Sequence, residues 1–148
     1  VRRALAIALA AAACTSGAPA PAALDTKNEW CGFCRMAVSD QRFAGQLVAP
    51  HEEPRFFDDI GCLGRYVSGT KALPPGTIAY VADHRTKAWA PAAGAVYTRV
   101  AGLETPMGSH LIAHADSASR DADPEAKAGT PVPVTELFGA GGAPGGAR

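Results

Sequence analysis

Long apolar runs are missing from this chain. The longest unbroken one, Ala4 to Ala13, is ten residues, and a membrane-spanning helix needs about twenty. Charge of one sign is missing too: 14 basic residues face 14 acidic ones. There is no basic stripe and no alternation of aromatic with basic residues, so nothing calls for a nucleic-acid partner. No nucleophile–base pair and no open zinc triad is visible, which argues against an enzyme. Sulfur is scarce, with four cysteines and two methionines, so where it sits is informative.

The amino-terminal run has the form of an export signal. Arg2-Arg3 supplies a short positive region, and Ala4 to Ala13 supplies an apolar core of suitable length. The run ends Ala11-Ala12-Ala13-Cys14, small residues before a cysteine, as at a bacterial lipoprotein processing site. Cleavage there would leave Cys14 as a lipid-bearing terminus. Thr15 to Ala23 is rich in proline and alanine and has no pattern that could bury a face. The expectation is a soluble domain tethered to a membrane by one acylated end. The matching location is the periplasmic side of a bacterial membrane, the outer membrane by preference.

An oxidising compartment makes cysteine parity matter. With Cys14 acylated, Cys31, Cys34 and Cys62 remain, an odd number. At least one thiol then lacks a disulfide partner within the chain.

Trp30-Cys31-Gly32-Phe33-Cys34-Arg35-Met36 places two thiols and a thioether within six residues. Thiolate and thioether are soft ligands that select Cu(I). On an extended segment Cys34 and Met36 would share a face. Met107, in Thr105-Pro106-Met107-Gly108-Ser109-His110, lies outside any apolar periodic run, which is unusual for core filler. His110, three residues on, offers an imidazole. The candidate ligands are therefore Cys34, Met36, Met107 and His110, with Cys31 and Cys62 as further possibilities. Cys62 lies among apolar residues of a helical pattern, where a buried structural cysteine is the commoner case. His51, His84 and His114 have no ligand spacing to the sulfur motif and receive no role.

The pattern of the folded part predicts an α+β protein. Strands are expected at 36–38, 43–48 and 77–83. Apolar residues at 56, 60, 63 and 67 predict a helix over 56–67, with Asp58 and Asp59 in its first turn. The second part repeats the order, with strands at 95–100, 109–114 and 133–138 and a polar helix over 117–128. Two small similar ββαβ-type halves follow, with mostly antiparallel sheets each covered by one helix. The expected divisions are a signal peptide over 1–13, a tether over 14–23, halves over 24–86 and 87–138, and a disordered glycine-rich tail over 139–148.

The ordered set of segments resembles the NosL family, lipoprotein copper chaperones linked to maturation of nitrous oxide reductase. The segments are Cys14, Cys31-Gly-Phe-Cys34-Arg-Met36, Ser39-Asp40-Gln-Arg42-Phe43-Ala44-Gly-Gln46, Phe57-Asp58-Asp59-Ile-Gly61-Cys62, Val81-Ala-Asp83, Trp89, and Thr105-Pro106-Met107-Gly108-Ser109. The family's Cys-Gly-Met is here Cys34-Arg35-Met36, which keeps the thiol and the thioether. The resemblance implies two ββαβ units, Cu(I) binding, and delivery to a periplasmic cuproenzyme, with nitrous oxide reductase first and a terminal oxidase as the rival recipient. Two other readings stay open. One is a structural or adaptor lipoprotein. The other is a thiol–disulfide redox protein using Cys31 and Cys34, which needs the first cysteine at a helix N-terminus.

Overall fold

The structure, a computed structural model, describes residues 17–146. The expected signal peptide and Cys14 lie outside the described residues. The first sheet contains β1 (Gly45–Val48), β2 (Arg55–Phe57), β3 (Ile78–Ala82) and β4 (Trp89–Pro91) in the order β2-β1-β3-β4. The second contains β5 (Val96–Arg99), β6 (Leu111–His114) and β7 (Thr130–Val132) in the order β6-β5-β7. All pairings are antiparallel. Helix α1 (Ile60–Gly69) follows β2, α2 (Ser117–Ala122) follows β6, and α3 (Val134–Phe138) follows β7. The order strand–strand–helix–strand therefore occurs twice, as β1-β2-α1-β3 and β5-β6-α2-β7, and the class is α+β.

Several boundaries differ from the sequence reading, each for a local reason. The helix expected from Phe56 starts at Ile60, because Phe56 and Phe57 pair with Gln46 and Gly45 across the sheet. Asp59, extended at φ −145°, then caps the helix by accepting the Gly61 N–H, as a short carboxylate does at this position. The long helix expected over 117–128 stops at Ala122. Pro124 has no N–H to continue the ladder, and a short 3-10 turn, Glu125–Ala128, follows. The last expected strand, 133–138, is replaced by β7 just before it and by α3. Pro133 cannot extend the ladder and sits immediately before α3. At 36–38 there is only a single bridge, between Ala37 and Trp30.

Two segments expected to be free are held. Part of the expected tether lies on the first sheet: the buried Gln46 amide accepts from Ala22 N–H at 2.8 Å and donates to Ala22 O at 3.1 Å. Tyr80 O–H donates to Pro19 O at 2.7 Å. The glycine-rich tail is also docked, with Ala143 buried and Ala79 N–H donating to Pro144 O at 3.0 Å. Both segments satisfy backbone groups that their own composition leaves without local partners.

One apolar core runs through both halves. It joins Phe57, Ile60, Leu63 and Val81 of the first to Tyr97, Leu111, Val132 and Phe138 of the second. A smaller cluster, Phe43, Val100, Ile112 and Ala126, lies apart from it. Helices α1 and α3 meet so closely that a Cβ on Gly64 would lie 2.6 Å from Leu137 O. Gly64→Ala gains about 1 kcal/mol of helix propensity but forces α3 away. A net loss of about 1–2 kcal/mol in urea denaturation is expected. A midpoint that stays or rises would contradict this helix contact.

Candidate metal centre

The Cys31–Met36 segment is a tight loop, not a strand. Cys31 N–H donates to Met36 O at 2.8 Å and Arg35 N–H to Cys31 O at 3.1 Å. Gly32 N–H donates to Phe56 O at 2.8 Å, which fastens the loop to β2. Arg35 adopts φ +68°, an uncommon left-handed conformation for a residue with a side chain. This bend removes the extended geometry that would have put Cys34 and Met36 on one face. Cys34 turns inward and is half-buried, while the Met36 side chain is 53% exposed.

Turning inward brings Cys34 to the start of α1. Ligand atoms of Cys31, Cys34, Cys62 and Asp58 all lie within 4.8 Å of one another. Cys31, Asp58 and Cys62 are buried, and all three cysteines are free thiols. Cys34 Sγ–H donates to Asp58 Oδ2 at 3.3 Å. The other oxygen, Asp58 Oδ1, is buried with no hydrogen-bond partner, so the site has an unsatisfied acceptor facing inward.

The electrostatics follow from this crowding. The Cys62 thiol donates a hydrogen bond to Cys31, which draws the Cys31 thiol down to about 4. Cys62 is correspondingly pushed far up, first by that hydrogen bond and then by burial. Burial lifts Cys34 to about 11, with the neighbouring Cys31 adding to the rise. Burial also lifts the Asp58 carboxyl to about 6, again with Cys31 contributing. The cluster thus has its thiolate at Cys31 and keeps the other two thiols protonated, with the Asp58 carboxyl ionised as well above about pH 6.

Met107 reaches the same region from the second half. Its side chain is partly buried against the core that also contacts Cys34. Its N–H donates to Asp59 Oδ2 at 3.0 Å, and Thr105 Oγ1–H donates to the same oxygen at 2.8 Å. Gly61 makes the approach possible, since a Cβ there would meet Ser109 Cβ at 2.8 Å. His110 does not join the converging group. Its Nδ1 lies 2.7 Å from Leu103 O, and Leu103 packs against the smaller cluster.

Three soft sulfurs and one carboxylate form a donor set suited to a soft metal ion and poorly suited to Mg, Ca or Mn. The sequence pattern that defines the NosL family matches residues 21–137. The chain belongs to the NosL family. NosL membership marks a copper-binding protein tied to nitrous oxide reductase maturation, and the Cys–Asp cluster is a group of residues that could hold a metal ion. No curated protein and no solved structure matches the chain. The geometry of a dithiol redox motif is absent among the described residues, because Cys31 opens a turn and not a helix.

In the sequence Cys31 and Cys62 stand only as further possibilities, and Asp58 as part of a helix start. The available signal was Asp58-Asp59-Ile60-Gly61-Cys62, a capped helix start with a thiol in its first turn. Nothing in the spacing said that the Cys31 loop would fold onto it.

Asp58 yields a pH test of this reading. The folded protein holds, up to about pH 6, a proton that the unfolded chain releases from about pH 4 upward. The fold is therefore penalised progressively as pH rises from about 4 to about 6, and fully above that. In reduced, metal-free protein, Asp58→Asn should be more stable than the parent above pH 6, by on the order of 2 kcal/mol, and no different below pH 4. A pH-independent difference in urea midpoints would show that Asp58 is not a desolvated carboxyl.

Proposed function

We propose that the protein is a lipid-anchored periplasmic carrier of Cu(I) that delivers copper to nitrous oxide reductase and is not itself an enzyme. The observation that carries this reading is the convergence of Cys31, Cys34 and Cys62 with Asp58 at the start of α1. Such a set suits a monovalent soft ion. The loop supplies Cys34 at a half-buried position, and Met107 approaches from the other half. Trp30, Phe33 and Met36 are exposed large apolar side chains on the same loop, which gives a recipient something to dock against. The Ala11-Ala12-Ala13-Cys14 motif supports an acylated end on the outer membrane. Release follows by ligand exchange, in which a recipient ligand enters the open side and the carrier sulfurs leave one at a time. The exposed Met36 thioether is positioned to take part in that hand-over.

Cu(I) titration of the reduced protein against a strong Cu(I) chelator tests this. One tightly bound equivalent is expected, with Cys34→Ser weakening it most and Met107→Ala and Met36→Ala weakening it less without unfolding the domain. Equal affinity in all variants would remove the site, and failure of the parent to compete would remove the carrier reading. Deletion of the chain should leave nitrous oxide reductase copper-poor. A copper-replete enzyme in such a strain would point to another recipient.

The thiols also set a proton count. Cys34 and Cys62 are protonated at pH 7, and a bound metal requires thiolates. Loading at pH 7 should release one proton for each of these two that binds, and none from Cys31. Apparent affinity should therefore rise with pH, by about tenfold per pH unit for each proton displaced. Cys34→Ser should release one proton fewer than the parent. An unchanged count would exclude Cys34 as a thiolate ligand.

A further inference from the structure

A second cluster lies away from the sulfur site and uses residues to which the sequence assigned no role. His84 follows β3, His114 ends β6, and Asp123 follows α2. All three are buried, at 5%, 0% and 4% exposure. His84 Nδ1 lies 2.7 Å and His114 Nε2 lies 2.9 Å from the same atom, Asp123 Oδ2. His84 Nε2 faces Glu125 Oε2 at 3.5 Å, and the Glu125 side chain is half-exposed. The remaining ring nitrogens, His84 Nε2 and His114 Nδ1, are buried without a hydrogen-bond partner.

The proton arrangement is informative. Asp123 Oδ2 is the shared partner of both rings, so a ring that carries a single N–H points it at that one oxygen. That leaves two bare, buried lone pairs, one of which faces the Glu125 carboxylate. Buried acceptors in that state cost free energy. Placing a cation among His84 Nδ1, His114 Nε2 and Asp123 Oδ2 reverses the arrangement. The lone pairs turn to the metal and the protons move to the far nitrogens. His84 Nε2–H then donates to Glu125, the outer partner that metal-bound histidines usually have.

We infer that His84, His114 and Asp123 form a second metal site for a borderline divalent cation of the zinc(II) class, with Glu125 as the positioning residue behind His84. Two imidazoles and a carboxylate suit Zn(II) and its neighbours, not the soft monovalent ion of the thiol cluster. The donor atoms lie within 4.8 Å of one another, so accommodating an ion at about 2.0–2.2 Å from each takes only small side-chain shifts. The ligands come from both halves. His84 N–H already donates to Ala113 O across them at 2.8 Å, so a bound ion would reinforce that junction. The donors here are two ring nitrogens and one carboxylate oxygen, with no sulfur among them. That separates this site from the thiol cluster.

Co(II) is the optical probe, added to the full reduced protein, with Zn(II) measured by competition. Co(II) at this site gives ligand-field bands without the intense sulfur-to-metal charge transfer that thiolate binding produces. The expected result is one such equivalent in the parent and in Cys34→Ser alike. His84→Gln and Asp123→Asn should each weaken Zn(II) binding by more than tenfold. Glu125→Gln, at a half-exposed position where folding is not at risk, should weaken it by about tenfold without abolishing it. Nitrogen-15 shifts of the two rings should report the exchange of protonated nitrogen on adding Zn(II). Cobalt spectra consisting only of thiolate bands, or Zn(II) affinity unchanged in both His84→Gln and Glu125→Gln, would overturn the site and leave a buried histidine–carboxylate network. These outcomes do not depend on whether the sulfur cluster binds Cu(I).

Discussion

The carboxylate of Asp59 ties the two halves of this protein together beside the thiol cluster. It is fully buried and accepts the Gly61 N–H at the start of α1. It also accepts Thr105 Oγ1–H and the Met107 N–H from the second half. Asp59 is in extended backbone, where successive side chains point to opposite sides. Asp58 therefore faces the thiols while Asp59 faces the Met107 loop. Two adjacent residues of the same kind thus do different things: one touches the sulfur cluster, and the other fixes what lies beside it.

The thiol cluster concentrates charge in a small volume. Three protonatable sulfurs and a carboxylate cannot all ionise at such short range without a cation. The metal-free protein resolves this by keeping the charge mainly on Cys31 and protons on Cys34, Cys62 and, below about pH 6, Asp58. A bound cation would relieve that repulsion. Uptake there would therefore displace protons; Cys34 is half-buried and Met36 exposed. The histidine cluster shares one carboxylate oxygen between two rings.

The architecture was readable where periodicity is local. The run Thr77 to Asp83 contains β3, the apolar spacing from Ile60 onward follows α1, and Asp59 caps as a short acidic side chain should. Misplaced boundaries fall where tertiary pairing or proline overrides the pattern. Phe56 looks helical by spacing but pairs with β1, Pro124 follows the early end of the expected helix, and Pro133 sits between β7 and α3 where a strand was expected. The docked segments around Ala22 and Pro144 were unreadable because their partners, Gln46 and Ala79, lie far along the chain.

The sequence alone showed which soft sulfurs are available, at Cys31, Cys34, Met36 and Met107, an odd thiol among the folded cysteines, and the ordered motifs of the family. Those depend on residue type and order, which need no folding to be read. Which ligands meet was decided only by tertiary structure. The left-handed Arg35 parts Met36 from Cys34, the loop's bond to Phe56 O carries Cys31 and Cys34 to Cys62, and the Leu103 carbonyl takes the His110 ring. His84, His114 and Asp123 meet only because two strand ends and a helix end converge. The physical reason is the same throughout: a metal site needs donor atoms within a few ångströms, and chain spacing does not set distances between residues that the core brings together.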